Sequence, residues 1–288
     1  MKEHNGLIVV SYTYPVMPKH LQIETSEVAL VCKLVGLVKG MTKLAVMQLN
    51  EETLTSQIVD EQRTNVLSLV LKTETLDSYY QIEGMTHLAL SLSELNAALS
   101  TIDTDNSMRL YIHSRNPDEV MIQERGSRSN AFGLSQCCLA SQDCSGSTQG
   151  IRDYECTHSY NMPCEDVKTI YNTVARIKGP LGNDSCITFK CEEDLIAISI
   201  INRTDTTTPQ WSNTYTCAVC QPGEGAVTVS ISLSQLALMV KVAGMCETLD
   251  WEVGNGKPLR VSFAIGKLGY GVLHHIPLKV NELLSSAE

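Results

Sequence analysis

The 288-residue chain lacks a phosphate-cradling G-x-x-x-x-G-K-[ST] loop, and no G-x-G-x-x-G opens a helix. The common nucleotide-hydrolysing and dinucleotide-binding sites are therefore excluded. It has no G-x-S-x-G elbow and no H-E-x-x-H pair, which removes the familiar serine-hydrolase and zinc-protease arrangements. No apolar run approaches the length of a membrane span, and the N-terminus shows no signal-peptide pattern, so no membrane partner is expected. An excess of positive charge is also missing, the formal charge being −10. A uniformly acidic surface repels nucleic acid, so any DNA contact must come from a local basic patch.

What the chain does have is a repeat. Leu90-Ser91-Leu92-Ser93-Glu94-Leu95 returns as Ile231-Ser232-Leu233-Ser234-Gln235-Leu236, 141 positions later. Each copy runs from an alternating strand into a helical pattern. Each also places Ser three residues before Glu or Gln (Ser91/Glu94, Ser232/Gln235), the pattern of a capping box. An apolar, Lys-bearing helix ending near Gly40 is echoed by one ending near Gly179. The chain reads as two copies of one unit of about 140 residues. Its 43% hydrophobic content lets each copy bury a core.

The first copy predicts a strand over 20–25, a helix capped by Ser26 and stopped at Gly40, and strands within 44–59, 66–71, 78–81 and 87–92. A second helix runs to about Ile102, and a hairpin joins 109–113 to 119–124 across Arg115–Asp118. The second copy repeats the order: strand 151–160, helix 163–178, strands 184–190, 195–201, 209–219 and 226–233, helix 234–245, then strands 247–253, 259–265 and 271–276. Few helices and many meandering strands make the fold class α+β, with two helices on one face of the antiparallel sheets of each unit. The divisions are a 1–19 extension, a first domain over 20–125, a Gly-, Ser- and Cys-rich connector over 126–153, a second domain over 154–280 and a 281–288 tail.

Three residue sets could carry chemistry. The eleven cysteines include Cys217-Ala218-Val219-Cys220 and a group around the connector, Cys137, Cys138, Cys144, Cys156 and Cys164. Their spacings follow no familiar zinc finger, and reduced thiols filling the interior is the preferred reading, with a Cys-rich zinc-dependent enzyme as an alternative. Neither a metal nor a cofactor is expected. His274-His275 is the only paired histidine, and on a strand the two point to opposite faces. The helices bear Lys33, Lys39 and Lys43, then Lys168, Arg176 and Lys178, then Lys241. Such charges usually form a solvated face. If all the helices share one side, they concentrate positive charge where DNA phosphates could lie.

The ordered pieces resemble the sliding clamps of the proliferating cell nuclear antigen family. The likeness is clearest over Lys257-Pro258-Leu259-Arg260-Val261, then Leu268-Gly269, then His274 to Val280. It extends to Val66–Leu71 with Leu76–Tyr79, and to Tyr154 and Cys156 followed by Met162-Pro163. The resemblance implies a non-enzymatic ring of subunits, commonly a homotrimer, around double-stranded DNA in the nucleus or at a viral replication site. Such a ring tethers a DNA polymerase and other replication proteins without reading sequence. It implies that Lys33, Lys39, Lys43, Lys168, Arg176, Lys178 and Lys241 face DNA. Ring closure would pair the strand near 130–138 with that near 210–219 of the next copy. Clients would dock through short peptides in a pocket of Val59, Ile151, Pro258, His275 and Ile276. This chain differs from the family pattern in its second helix, 93–101, which has no Lys or Arg, and in its Cys-rich connector. Those differences make a checkpoint-type clamp subunit, or a monomeric processivity scaffold of the same fold, the alternative.

Overall fold

The computed structural model describes residues 19–125, 131–134, 154–178, 185–202, 211–216, 218–221, 223 and 225–278. The 1–18 extension, most of the connector and the tail from 279 lie outside them. The first half runs β1 (Lys19–Thr25), α1 (Val28–Lys39), β2 (Leu44–Leu49), β3 (Thr53–Val59), β4 (Asn65–Lys72), β5 (Ser78–Gln81), β6 (His87–Ser91), α2 (Leu92–Leu99), β7 (Met108–His113), β8 (Asn116–Glu124) and β9 (Ala131–Leu134). The second half repeats it as β10 (His158–Pro163), α3 (Cys164–Lys178), β11 (Ser185–Glu192), β12 (Leu195–Asn202), β13 (Trp211–Thr216), β14 (Ala218–Gln221), β15 (Val227–Ile231), α4 (Leu233–Val242), β16 (Thr248–Val253), β17 (Leu259–Ile265) and β18 (Gly269–His275).

The strands form three antiparallel sheets, ordered β5-β1-β7-β8-β9, β14-β10-β16-β17-β18-β4-β3-β2-β6 and β13-β12-β11-β15. The large sheet is a composite. Its first five strands are the second-half counterparts of the five-stranded sheet, and its last four are the first-half counterparts of the four-stranded one. The two parts meet where β18 pairs with β4, in register from Gly269↔Leu71 to His275↔Asn65. This seam is tight: a Cβ at Gly269, whose φ is +154°, would stand 2.0 Å from the Val70 carbonyl oxygen.

Period-two alternation puts Leu54, Ile58, Leu67, Leu69, Val261, Trp251, Tyr160 and Leu273 on the core face of the large sheet. Leu34, Val35 and Val38 of α1 pack onto that face beside Ala45, Leu54 and Leu69. Helix α1 lies against α2 and α4, and α3 against α4, so the four helices make a single layer. The α+β expectation holds, with antiparallel sheets and few helices as anticipated.

Several local expectations need correction. The predicted strand over 44–59 turns at Asn50, whose side-chain oxygen accepts from the Glu52 and Thr53 amides. The predicted 209–219 strand divides into β13 and β14, and these pair with different neighbours. The hairpin turn closes earlier than expected, β8 starting at Asn116. Pro163 ends β10 opposite Thr248 instead of opening a helix. Of the two capping boxes only Ser232/Gln235 forms, Ser91 making no side-chain cap bond. Ser26 does not cap α1 either; Glu27 holds that position without a side-chain bond.

Candidate nucleic-acid interface and docking face

Six basic residues stand in the four helices against three acidic ones, Glu94, Glu165 and Asp166. The helix layer is thus locally cationic within an acidic chain. The structure brings Lys39, Lys43 and Lys241 together in an open groove of about 470 Å³, where the end of α1 meets α4 and the β3–β4 turn. The ammonium of Lys241 lies over the α1 terminus, and a Cβ at Gly40 would come 2.7 Å from it. Lys43 faces Glu61 at 3.9 Å, both side chains highly exposed, a pair worth at most about 1 kcal/mol. Lys43 is therefore free to meet a phosphate.

Two predicted contacts have other employment. Lys33 donates to the Gly244 carbonyl at 2.8 Å and so braces α1 against the turn after α4. Lys168 pairs with Glu165 at 2.7 Å one helical turn away, which raises its pKa, the hydrogen bond leading. Arg176 is exposed on α3. Lys178 ends the same helix, and its side chain lies outside the described residues.

The docking residues divide between two faces of the large sheet. Register places Val59 opposite Val66, Val66 opposite His274, and His274 opposite Arg260, so these four share the face turned away from the core. Val59 and Ile276 are 45% and 40% exposed there, the apolar grip a partner would use. Strand alternation puts Pro258 on the same face as Arg260. Tyr154 donates its hydroxyl to the Pro258 carbonyl at 3.2 Å and sets its ring edge against His274 at 6.0 Å. Burial raises the Tyr154 pKa, keeping the phenol protonated as that donor.

His275 is the correction. It is fully buried on the opposite face, hydrogen-bonded through Nδ1 to Asn65 Oδ1 at 2.6 Å, and cannot line an exposed pocket. On the outward face His274 stands opposite Val66 and against the Tyr154 ring. The alternation of β18 was readable in sequence, but not which parity faces outward. Ile151 lies outside the described residues.

Behind this face the seam is stitched by polar bonds. Asp60 accepts from the Thr64 amide and hydroxyl and from the Asn65 backbone and side-chain amides, at 2.7–2.8 Å. Burial works against its charge, but those bonds prevail and hold its pKa below the usual range. Gln235 of α4 donates Nε2 to the Thr64 and Ile276 carbonyls at 3.1 and 3.0 Å. This edge of the sheet is thereby tied to α4 of the cationic layer.

For the cysteine reading, Cys217, Cys137, Cys138 and Cys144 lie outside the described residues. Cys164 and Cys246 place their sulfurs 3.7 Å apart as free thiols. No group of three or more metal-ligating side chains occurs among the described residues, and no helix there is long and apolar enough to cross a membrane.

Comparison with known proteins gives three findings. Residues 20–140 match the family model for the N-terminal domain of proliferating cell nuclear antigen. No curated protein sequence matched the chain. Among solved structures, the proliferating cellular nuclear antigen of Entamoeba histolytica superposes with a TM-score of 0.76 at 17% identity, covering 91% of this chain and 100% of that one. At that identity the likeness shows the fold. The chain thus shares the fold of a proliferating cell nuclear antigen along nearly its whole length, and residues 20–140 match the family model for that antigen's N-terminal domain.

Proposed function

We propose that copies of this chain close head to tail into a homotrimeric ring that encircles duplex DNA in the nucleus and tethers a polymerase and other replication proteins to it. The observation that supports this is the composite sheet. Within the chain, β18 of one unit pairs with β4 of the other. Their counterparts, β9 and β13, stand at the free edges of the two smaller sheets. Pairing β9 with β13 of a second copy rebuilds the nine-stranded sheet and consumes both edges. By the same equivalence, Trp211 on β13 corresponds to Leu67 on β4, which pairs with Leu273 of β18 inside the chain.

In this ring the helix layer faces DNA. Lys39, Lys43, Arg176 and Lys241, with Lys178, meet phosphates without reading bases, while Lys33 and Lys168 contribute mainly field. Clients dock on Val59, Val66, Pro258, His274 and Ile276, with Ile151 as a further candidate. The clamp performs no chemistry; retention comes from topology. The test is retention on circular DNA after loading, against the same DNA linearised, with particle mass measured at physiological salt. Three times the 31.6 kDa of one chain, and loss from linear DNA only, is the expected result. A 31.6 kDa particle, or equal loss from both DNAs, refutes it. The bare face of α2, LSELNAAL, favours a second reading: a subunit of a mixed, checkpoint-type ring or a monomeric scaffold. Sedimentation of the purified chain alone separates the two.

A further inference from the structure

The equivalent helices α2 and α4 carry different residues at one place. Gln235 in α4 matches Glu94 in α2, each three positions after its Ser. Gln235 is buried and fully used. Its Oε1 accepts from the Ser232 amide at 2.8 Å, and its Nε2 donates to the Thr64 and Ile276 carbonyls. Thr64 stands just ahead of β4, and Ile276 just after β18. One amide therefore stitches both strands of the seam from beneath.

Glu94 has no such partners. Among the described residues no bond links it to Ser91, and its Oε2 is shielded from solvent with no donor in reach. A buried carboxylate oxygen without a donor is costly and rare. Helix α2 packs against β9, the counterpart of β18, whose outer edge is free. What Glu94 lacks is therefore the strand that β4 supplies to Gln235, and the counterpart of β4 is β13.

We infer that Glu94 seals the seam between copies by accepting a hydrogen bond from an N–H or O–H donor at the head of β13 in a second copy of this chain. The inference rests on the ring reading above. An ionised carboxylate only accepts, so it cannot repeat the bond that Gln235 makes to a carbonyl. The two seams thereby differ in chemistry as well as in residues. A donor-bearing β13 suits the seam between copies, and the carbonyl-bearing approach to β4 suits the seam within the chain.

The experiment is sedimentation velocity over a dilution series for wild type, Glu94→Ala, Glu94→Gln and Ser91→Ala. Thermal melts follow at dilutions where copies are separate. Glu94→Ala is expected to raise the concentration of half-assembly at least about tenfold, the loss of one charge-assisted hydrogen bond. Glu94→Gln, which keeps an acceptor, shifts it less, and Ser91→Ala leaves it unchanged. Glu94→Ala should melt above wild type when dispersed, because an unpartnered buried oxygen has been removed. Wild type that assembles while Glu94→Ala assembles equally well overturns this inference alone. Dispersed Glu94→Ala that melts below wild type also overturns it, because Glu94 would then serve its own chain's fold. Wild type that stays monomeric at every concentration overturns the ring reading and this inference together.

Discussion

Replacing Gln235 by Glu separates two jobs that one side chain performs. The carboxylate can still accept from the Ser232 amide, because Ser with Glu three residues on is a normal capping box. It cannot donate to the carbonyls of Thr64 and Ile276, which lie 3.1 and 3.0 Å from Nε2. The Ile276 carbonyl is left without a donor among the described residues, at about 1–3 kcal/mol, while the Thr64 carbonyl keeps the Ile276 amide and loses one bond worth about 1 kcal/mol, so the change costs about 3 kcal/mol before any repulsion from the new charge. For a chain of this size, about 2–4 °C per kcal/mol places the melting temperature about 6–12 °C lower. Ser232→Ala, which removes only the cap, should cost about 1 kcal/mol. Amide exchange locates the loss. The Ile276 amide donates to Thr64 at 2.9 Å and should lose protection in Gln235→Glu but retain it in Ser232→Ala. If Gln235→Glu melts within about 2 °C of wild type, or Ile276 stays protected, the stitching role is wrong.

Three further outcomes follow from the same geometry. Burial, aided by His274, lowers the His275 pKa to about 3, whereas the unfolded chain titrates near 6.5. Above pH 6.5 both states are neutral there; below it only the unfolded state gains the proton, so stability falls progressively until about pH 3, by at most about 1.4 kcal/mol per pH unit. Denaturant titrations at pH 7.5 and 5 should show a drop of about 2 kcal/mol that His275→Gln largely removes. Lys39→Ala, Lys43→Ala and Lys241→Ala should each flatten the log K against log salt slope for DNA binding by about 0.9, while Lys33→Met should flatten it less and lower the melting temperature. Trp251 is fully buried and Trp211, the other tryptophan, is only partly covered, so assembly should blue-shift emission. Trp211→Phe should abolish that shift, and an unchanged spectrum on assembly would exclude the β9–β13 contact.

Much of the fold was legible because its determinants are local. Alternation in Val66–Leu71 and Leu259–Ile265 identifies strands, and a Ser followed by Gln at 232 and 235 marks a helix start, since each depends on neighbours a few positions away. The repeat marked equivalent elements, Glu94 and Gln235 among them. The basic helix residues were legible as a set, but not their individual surroundings. Lys33 looks like any exposed helical lysine until the Gly244 carbonyl, 211 positions away, is placed beside it. Position 94 matched the capping pattern as well as position 235 did, yet no local rule says that one box closes and the other stays open.

By itself, then, the sequence determined two copies of a strand-rich unit, the alternation within each strand, and a surplus of basic residues on the helices. Only the tertiary structure decided that β18 joins β4, that His274 faces outward while His275 is buried against Asn65, and that Gln235 reaches across the seam. The reason is physical. Periodicity records that a residue has two sides, but which side meets the core depends on partners brought together from 171 to 210 positions away, and those are selected by the packing of the whole sheet.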